Sequence, residues 1–284
     1  MKTKLIIFIF LLIAVFPISA KSKEYPRAEI KVGYTYNGTF VRGSDGIIKR
    51  EIPFVLLANK EQSKFYSLDT EFKDSLRSTP QGRAIERQMT TSVAKKYLET
   101  KDLNVINAVV YPTFLYIFRS LLDNELTVFD YAGSFEYGYY TEPLGEIQWE
   151  IGDSTKTVLG YECSIATANY HGRHWTAWFT TEIPLQEGPW KLTGLPGLIL
   201  EASESTGQHS FIATGLEASN QEMYPIYPYR QYEKMSRIEM LRQLRNYRDH
   251  NNSINSAELG INLGKDHIKN KEEAKIDFLE TDYH

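Results

Sequence analysis

Apolar and polar positions alternate along many short stretches of this chain, the two-residue period of half-buried β-strands. Ala28 to Tyr36 (AEIKVGYTY) places Ala28, Ile30, Val32, Tyr34 and Tyr36 on one face. Ile47 to Leu57 and Lys64 to Leu68 read as further strands. Val105 to Phe118 and Glu125 to Tyr131 predict a hairpin around Asp123-Asn124. Gly145 to Ile151, Thr157 to Asn169 and His174 to Thr181 predict a meander, with turns at Gly152-Asp153-Ser154 and His171-Gly172. Gly197 to Ser203 and Gln208 to Gly215 predict a last hairpin around Ser205-Thr206-Gly207.

Two stretches change period. Thr79-Pro80 reads as an N-cap followed by proline at the first helical position, opening a helix to about Leu98 that could lie across the sheet. A second helix is predicted from about Gln231 to His250, where Met235, Ile238, Leu241 and Leu244 form an apolar stripe and Arg237, Arg242, Arg245 and Arg248 take other faces. Asn251 to Ser256 is a polar break, and the charged segment from Lys265 to His284 reads as a loosely held tail. Many short strands without a βαβ rhythm predict a mainly β (α+β) fold, a curved antiparallel sheet or half-barrel with one or two helices packed on it. The expected organisation is one β-rich domain over residues 21–260 and a charged tail over 261–284.

The first twenty residues stand apart. Lys2 and Lys4 precede an uncharged apolar run from Leu5 to Phe16, which Pro17 breaks before the small residues Ser19-Ala20. This is the layout of a secretory signal peptide over residues 1–20, and the run is short for a membrane span. The expected location is therefore the periplasm or cell envelope, as a soluble protein. Cys163, the single cysteine, is far from the cleavage site and offers no attachment point for a lipid.

Composition narrows the function class. The 284 residues carry 32 Lys+Arg against 36 Asp+Glu, a net charge of −4, which argues against a nucleic-acid partner. One cysteine excludes an intramolecular disulfide framework and a cysteine-rich zinc module. The sequence contains no H-E-x-x-H, G-x-S-x-G or G-x-G-x-x-G motif. Gly260 to Asp266 is a poor phosphate loop, because Asp266 stands where a hydroxyl must hold magnesium. His171 and His174 are three apart at a turn entering a strand, so they point to opposite faces, and Arg173 between them disfavours a cation. His209, His250, His267 and His284 stand alone in sequence. Cys163 lies on a predicted strand without a local base and reads as a small core residue. Glu182, Glu187 and Glu201 could supply a carboxylate pair for glycoside hydrolysis, at a separation sequence does not report. No catalytic residue, metal site or cofactor is assigned on this basis.

The densest run of unusual residues is 145–201. Trp149 is followed by Gly160-Tyr161-Glu162-Cys163, then Gly172-Arg173-His174-Trp175-Thr176-Ala177-Trp178-Phe179. Thr181-Glu182-Ile183-Pro184, Gly188-Pro189-Trp190-Lys191 and Gly194-Leu195-Pro196-Gly197-Leu198-Ile199 complete it. Pro184 ends a strand because it cannot donate to the ladder, and Gly188-Pro189 and Leu195-Pro196-Gly197 are turn formers. Glu187 to Gly197 is thus a loop of defined shape, either a site or a turn that closes the core. Residues 194–199 spell GLPGLI, and the ordered motifs resemble the GLPGLI family of secreted bacterial proteins, best known from the Bacteroidetes, over roughly residues 28–216. The resemblance implies a signal peptide and, from the genes that surround many members, a link to outer-membrane transport. It brings no activity and no catalytic residues.

Three readings follow. The first is a non-enzymatic envelope protein that binds an apolar or peptide ligand, or a partner, with Trp175, Trp178, Trp190 and Pro196 at its site. The second is an accessory protein docking to an outer-membrane transporter through the 187–197 loop or the 231–250 helix. The third is a hydrolase using Glu182 or Glu201.

Overall fold

The computed structural model describes residues 24–41, 46–101, 113–133, 136–224, 226–227, 230–260, 262 and 264–284. The signal-like segment and most of the Val105–Phe118 stretch lie outside them. The strands are β1 (Ile30–Val41), β2 (Ile47–Ala58), β3 (Gln62–Ser67), β4 (Tyr116–Ser120), β5 (Glu125–Gly133) and β6 (Glu136–Pro143). They continue as β7 (Glu150–Val158), β8 (Tyr161–Tyr170), β9 (Arg173–Thr180), β10 (Leu198–Glu204), β11 (His209–Ala218) and β12 (Glu233–Lys234). All twelve join one open, curved sheet in the order β12-β6-β5-β4-β3-β2-β1-β11-β10-β9-β8-β7. Only the two-residue β12 pairs in parallel, with β6. The described helices are α1 (Leu68–Arg77), α2 (Pro80–Thr100) and α3 (Arg237–Leu259), with a short 3-10 turn at Glu273–Lys275. The fold is mainly β with helices packed on a curved sheet.

Alternation decides which face each strand buries. Val32, Tyr34 and Tyr36 of β1 meet Ile52, Phe54 and Leu56 of β2 in one large core on the concave face. The intervening positions Val55 and Leu57 face the other way and join Tyr66, Tyr116 and Met223 in a smaller core. Ala28, which the alternation puts with Tyr34, belongs to that smaller core because it lies before the strand begins. Lys64 and Tyr116 share this outer side, where α1 supplies their partners: Lys64 Nζ donates to Glu71 at 3.0 Å and Tyr116 Oη to Asp74 at 3.0 Å.

The turns follow backbone chemistry. Asn124 and His171-Gly172 take positive φ at the expected reversals, and β10 and β11 reverse between Glu204 and His209. The reversal expected at Gly152-Asp153-Ser154 lies instead at Leu159-Gly160, with φ of 52° and 88°. Residues 152–154 sit inside β7, where the register slips between Ile151 and Thr155. A bulge accepts the same small polar residues as a turn, so composition alone does not separate the two.

The helices depart from the sequence reading in useful ways. Thr79 caps α2 by accepting from Gly82 N at 3.0 Å, as expected. The helix does not lie across the sheet; it leans on α1, where Arg77 Nε meets Glu86 at 2.7 Å, and of its residues only Gly82 is buried. Six residues later than expected, Ser236 caps α3, and the helix runs through the Asn251–Ser256 break by kinking at His250. Met235 therefore precedes the helix, while Met240 and Leu241 carry its buried stripe.

Residues 276–284 are docked rather than loose. Arg173 Nε donates to the Phe278 carbonyl at 2.9 Å, and Thr281 N to the His171 carbonyl at 3.0 Å. Asp277 receives Arg245 at 3.2 Å and Arg248 at 3.2 Å from α3. A run rich in charge reads as solvated, yet here each carboxylate meets a cation of the domain. Among the described residues no helix is long and apolar enough to cross a membrane.

Candidate functional site

The loop between β9 and β10 crosses the concave face. Glu187 Oε2 accepts from Arg119 Nη1 of β4 and, at 3.0 Å, from Ser63 Oγ of β3. Arg119 also donates to the carbonyls of Gly188, at 3.2 Å, and Trp190. Lys191 Nζ reaches Glu142 of β6 at 2.7 Å and sits 4.9 Å from the Tyr140 ring centroid. Trp149 Nε1 donates to the Thr193 carbonyl at 2.9 Å. These contacts tie strands far apart in the sheet to one loop, which draws the sheet into a half-barrel. Trp190 takes φ of 54°, a left-handed conformation costly for a bulky side chain and kept only where the surroundings over-determine it. At Gly197, an added Cβ would lie 2.0 Å from the Thr180 carbonyl oxygen, which requires glycine at the end of the loop.

The structure brings only two of the four proposed site residues together. Trp175 and Trp190 are buried, with ring centroids 5.4 Å apart. Trp178 points to the opposite face of β9, under Lys156 Nζ at 4.5 Å from its ring centroid. Pro196 is exposed at the tip of its turn. The candidate acids are all engaged: Glu187 with Arg119, Glu201 with Lys156, and Glu182 with the Glu162 amide at 3.1 Å. Cys163 is buried and burial pushes its thiol up, which disfavours the thiolate a nucleophile needs.

Beside this packed loop lies a cavity of about 810 Å³. Its floor is the concave sheet, its roof is α3, and the docked C-terminal segment closes one side. Trp190 of the loop lies on its wall. Tyr36 and Phe211 stack at 4.8 Å along the floor, and Phe114, Tyr131 and Tyr247 meet at the other end, with Tyr131 5.3 Å from Phe114 and 5.6 Å from Tyr247. Aliphatic positions Val128, Leu241 and Leu244 complete a mostly apolar lining.

Polar groups on the wall are mostly satisfied by the protein. His209, isolated in sequence, is buried with its ring 2.6 Å from Tyr36 Oη through Nδ1 and 2.9 Å from the Asp277 carbonyl through Nε2. Burial, helped by the charge of Arg173, pushes it down to about 4, so it is neutral at pH 7. Nε2–H then donates to the carbonyl, and Nδ1 accepts the tyrosine proton. Glu280 is buried between Lys191 at 2.8 Å and Arg237 at 2.6 Å; burial opposes its charge, but Lys191 holds it below the usual carboxylate range. His171, Glu280 and Asp282 each present one ligand atom, all within 4.8 Å of one another. Lys191 and Arg237 occupy the same carboxylates, so a divalent ion would have to displace two cations.

Asp130 is the wall residue that sequence reasoning missed. It follows Leu126 and Val128 on the inward face of β5, a carboxyl where the alternation calls for an apolar side chain. That mismatch was the available signal. Burial pushes its carboxyl up to about 7, against hydrogen bonds from the Tyr131 and Phe114 amides.

Residues 171–201 match the model of a family described as a protein of unknown function, Porph_ging. The Porph_ging segment comprises β9, the crossing loop and the first strand residues beyond it, including the GLPGLI run. No curated protein matches the chain. Solved structures of PNGF-II, in space groups P21 and C2, are similar at 12% identity, with TM-scores of 0.50 and 0.49. The likeness covers 78% and 79% of this chain but 34% of each of those chains, so this chain spans about a third of their length. The likeness at TM-score 0.50 shows a shared fold of sheet plus helices.

Proposed function

We propose that this is an exported, non-enzymatic cell-envelope protein of the GLPGLI type that holds an apolar ligand in the concave-face cavity. The observation that carries the reading is the cavity of about 810 Å³ between the sheet, α3 and the C-terminal segment. That volume lies in the range of sites for small molecules, about 300–1,000 Å³, and its aromatic and aliphatic walls suit an apolar body. Of the residues proposed from sequence, Trp190 borders this ligand, and Trp175 supports Trp190 from beneath. Trp178 and Pro196 fall outside the proposed site.

The test is an intact mass under native conditions for the secreted protein, followed by an extraction with organic solvent. A discrete extra mass that disappears on denaturation is expected, with an apolar compound in the extract. A bare monomer mass, together with no uptake of an apolar dye by the purified protein, would contradict the reading.

A further inference from the structure

The cavity's charges can be followed one by one. Arg77 pairs with Glu86, Lys191 with Glu142 and Glu280, and Arg248 with Asp277. His209 is neutral for the reason given above. Asp130 alone, among the described residues that line the cavity and ionise near neutral pH, has no ion-pair partner there. It accepts hydrogen bonds from two backbone amides, those of Tyr131 and Phe114. Arg230 lies near enough to act on it through charge, but its Nη2 is committed to Asp74 at 2.7 Å, and Glu280 acts in the opposite sense.

Two rings of the lining, Tyr137 and Phe114, already face a cation. The Arg230 guanidinium lies 4.1 Å from the Tyr137 ring centroid and 5.3 Å from that of Phe114. Tyr131 stands 5.7 Å from Tyr137 and Tyr247 closes the group from α3. Aromatic rings and a carboxylate lining one cavity are the chemistry that recognises ammonium groups. The other end of the cavity, along Tyr36, Phe54 and Phe211, carries no uncompensated charge and suits a hydrocarbon or ring.

Building on the apolar-ligand reading, we infer that the cavity takes an apolar cation: a hydrophobic body along the Tyr36–Phe211 floor and a single amine seated against Asp130, at the end of the cavity that Tyr131 and Tyr247 also line. An amine there supplies the charge that Asp130 lacks. A fatty carboxylate would instead place a second anion beside it, with like-charge repulsion in a low-dielectric site.

The probes are dodecylamine, dodecanol and dodecanoate, titrated below their aggregation thresholds by calorimetry into the full-length secreted protein and its Asp130→Asn variant. At pH 8 the amine is expected to bind at least about tenfold more tightly than the alcohol, and the carboxylate more weakly than either. Asp130→Asn should erase the preference for the amine over the alcohol. In case that variant does not fold, the amine-to-alcohol ratio of the unaltered protein is also followed from about pH 8.5 down to about pH 5.5, where protonation of Asp130 should diminish it. Equal binding of amine and alcohol at pH 8, or an amine preference that survives Asp130→Asn, would overturn the inference and spare the cavity reading. Failure of all three probes to bind would overturn both.

Discussion

The crossing loop and the cavity lie side by side on one concave face, and they treat buried charge in opposite ways. In the loop, Glu187 meets Arg119 and Lys191 meets Glu142 and Glu280; each of these buried ions has an opposite charge beside it. At the cavity's far end, Asp130 borders empty space and forms no ion pair with the described residues that line the wall. Their carboxyls move accordingly. Lys191 holds Glu280 below its usual range, whereas burial pushes Asp130 up to about 7. Both regions are aromatic, so aromatic content does not distinguish scaffold from site. What distinguishes them is whether the fold pairs the charge with an opposite one.

That contrast is open to direct attack. Arg119→Ala removes one partner of a buried pair and leaves Glu187 with its charge stranded, so it should lower the unfolding free energy by about 3–5 kcal/mol in denaturant titration. A loss under about 1 kcal/mol would mean that the loop does not close the sheet. Leu244→Trp, directed into the void from α3, should leave stability within about 1 kcal/mol and weaken apolar-probe binding about tenfold. Unchanged binding would move the site elsewhere.

The pH dependence separates the two regions by sign. Asp130 holds its proton more tightly folded than unfolded, with its carboxyl raised from 3.8 to about 7. Its contribution to stability is therefore greatest below about pH 4, declines as pH rises to about 7 and is flat above that. Thermal melts should show this decline in the unaltered protein and its loss in Asp130→Asn; the same decline in both would exclude Asp130 as its source. Asp282 titrates the other way. Burial opposes its charge, but hydrogen bonds from Arg237 and His171 hold it down at about 2. Its stabilisation of the docked segment is present above about pH 4 and is lost as pH falls toward about 2. This exposed group makes the smallest effect, read as a fall in the protection factor of the Thr281 amide in acid, with the core still protected. An unchanged protection factor at that amide would show that its carboxylate does not hold the segment.

The sheet was legible because alternation reports which side of a strand is buried, and Val32, Tyr34 and Tyr36 obeyed it. The crossing loop announced itself through Trp190, Pro189 and Gly197, residues with narrow backbone or packing requirements. Its partners were silent, since the pairing of Glu187 with Arg119 spans 68 positions and no local pattern encodes it. Trp175 and Trp178 look equivalent in a list of aromatics, yet their odd spacing already sends them to opposite faces. The tail misled because a charged run reads as solvated unless its counterions are known, and Arg173, Lys191 and Arg237 come from three separate parts of the chain. Voids have no sequence signature at all. Asp130, a carboxyl out of pattern on an inward face, was the nearest thing to one.

The most direct test of the account is a titration of the secreted protein with an apolar fluorescent dye, beside Leu244→Trp. The account predicts one saturable site per chain, displaced by dodecylamine and weakened about tenfold by the tryptophan. Dye binding that does not saturate, or that Leu244→Trp leaves untouched, would contradict the claim that the concave cavity is the site.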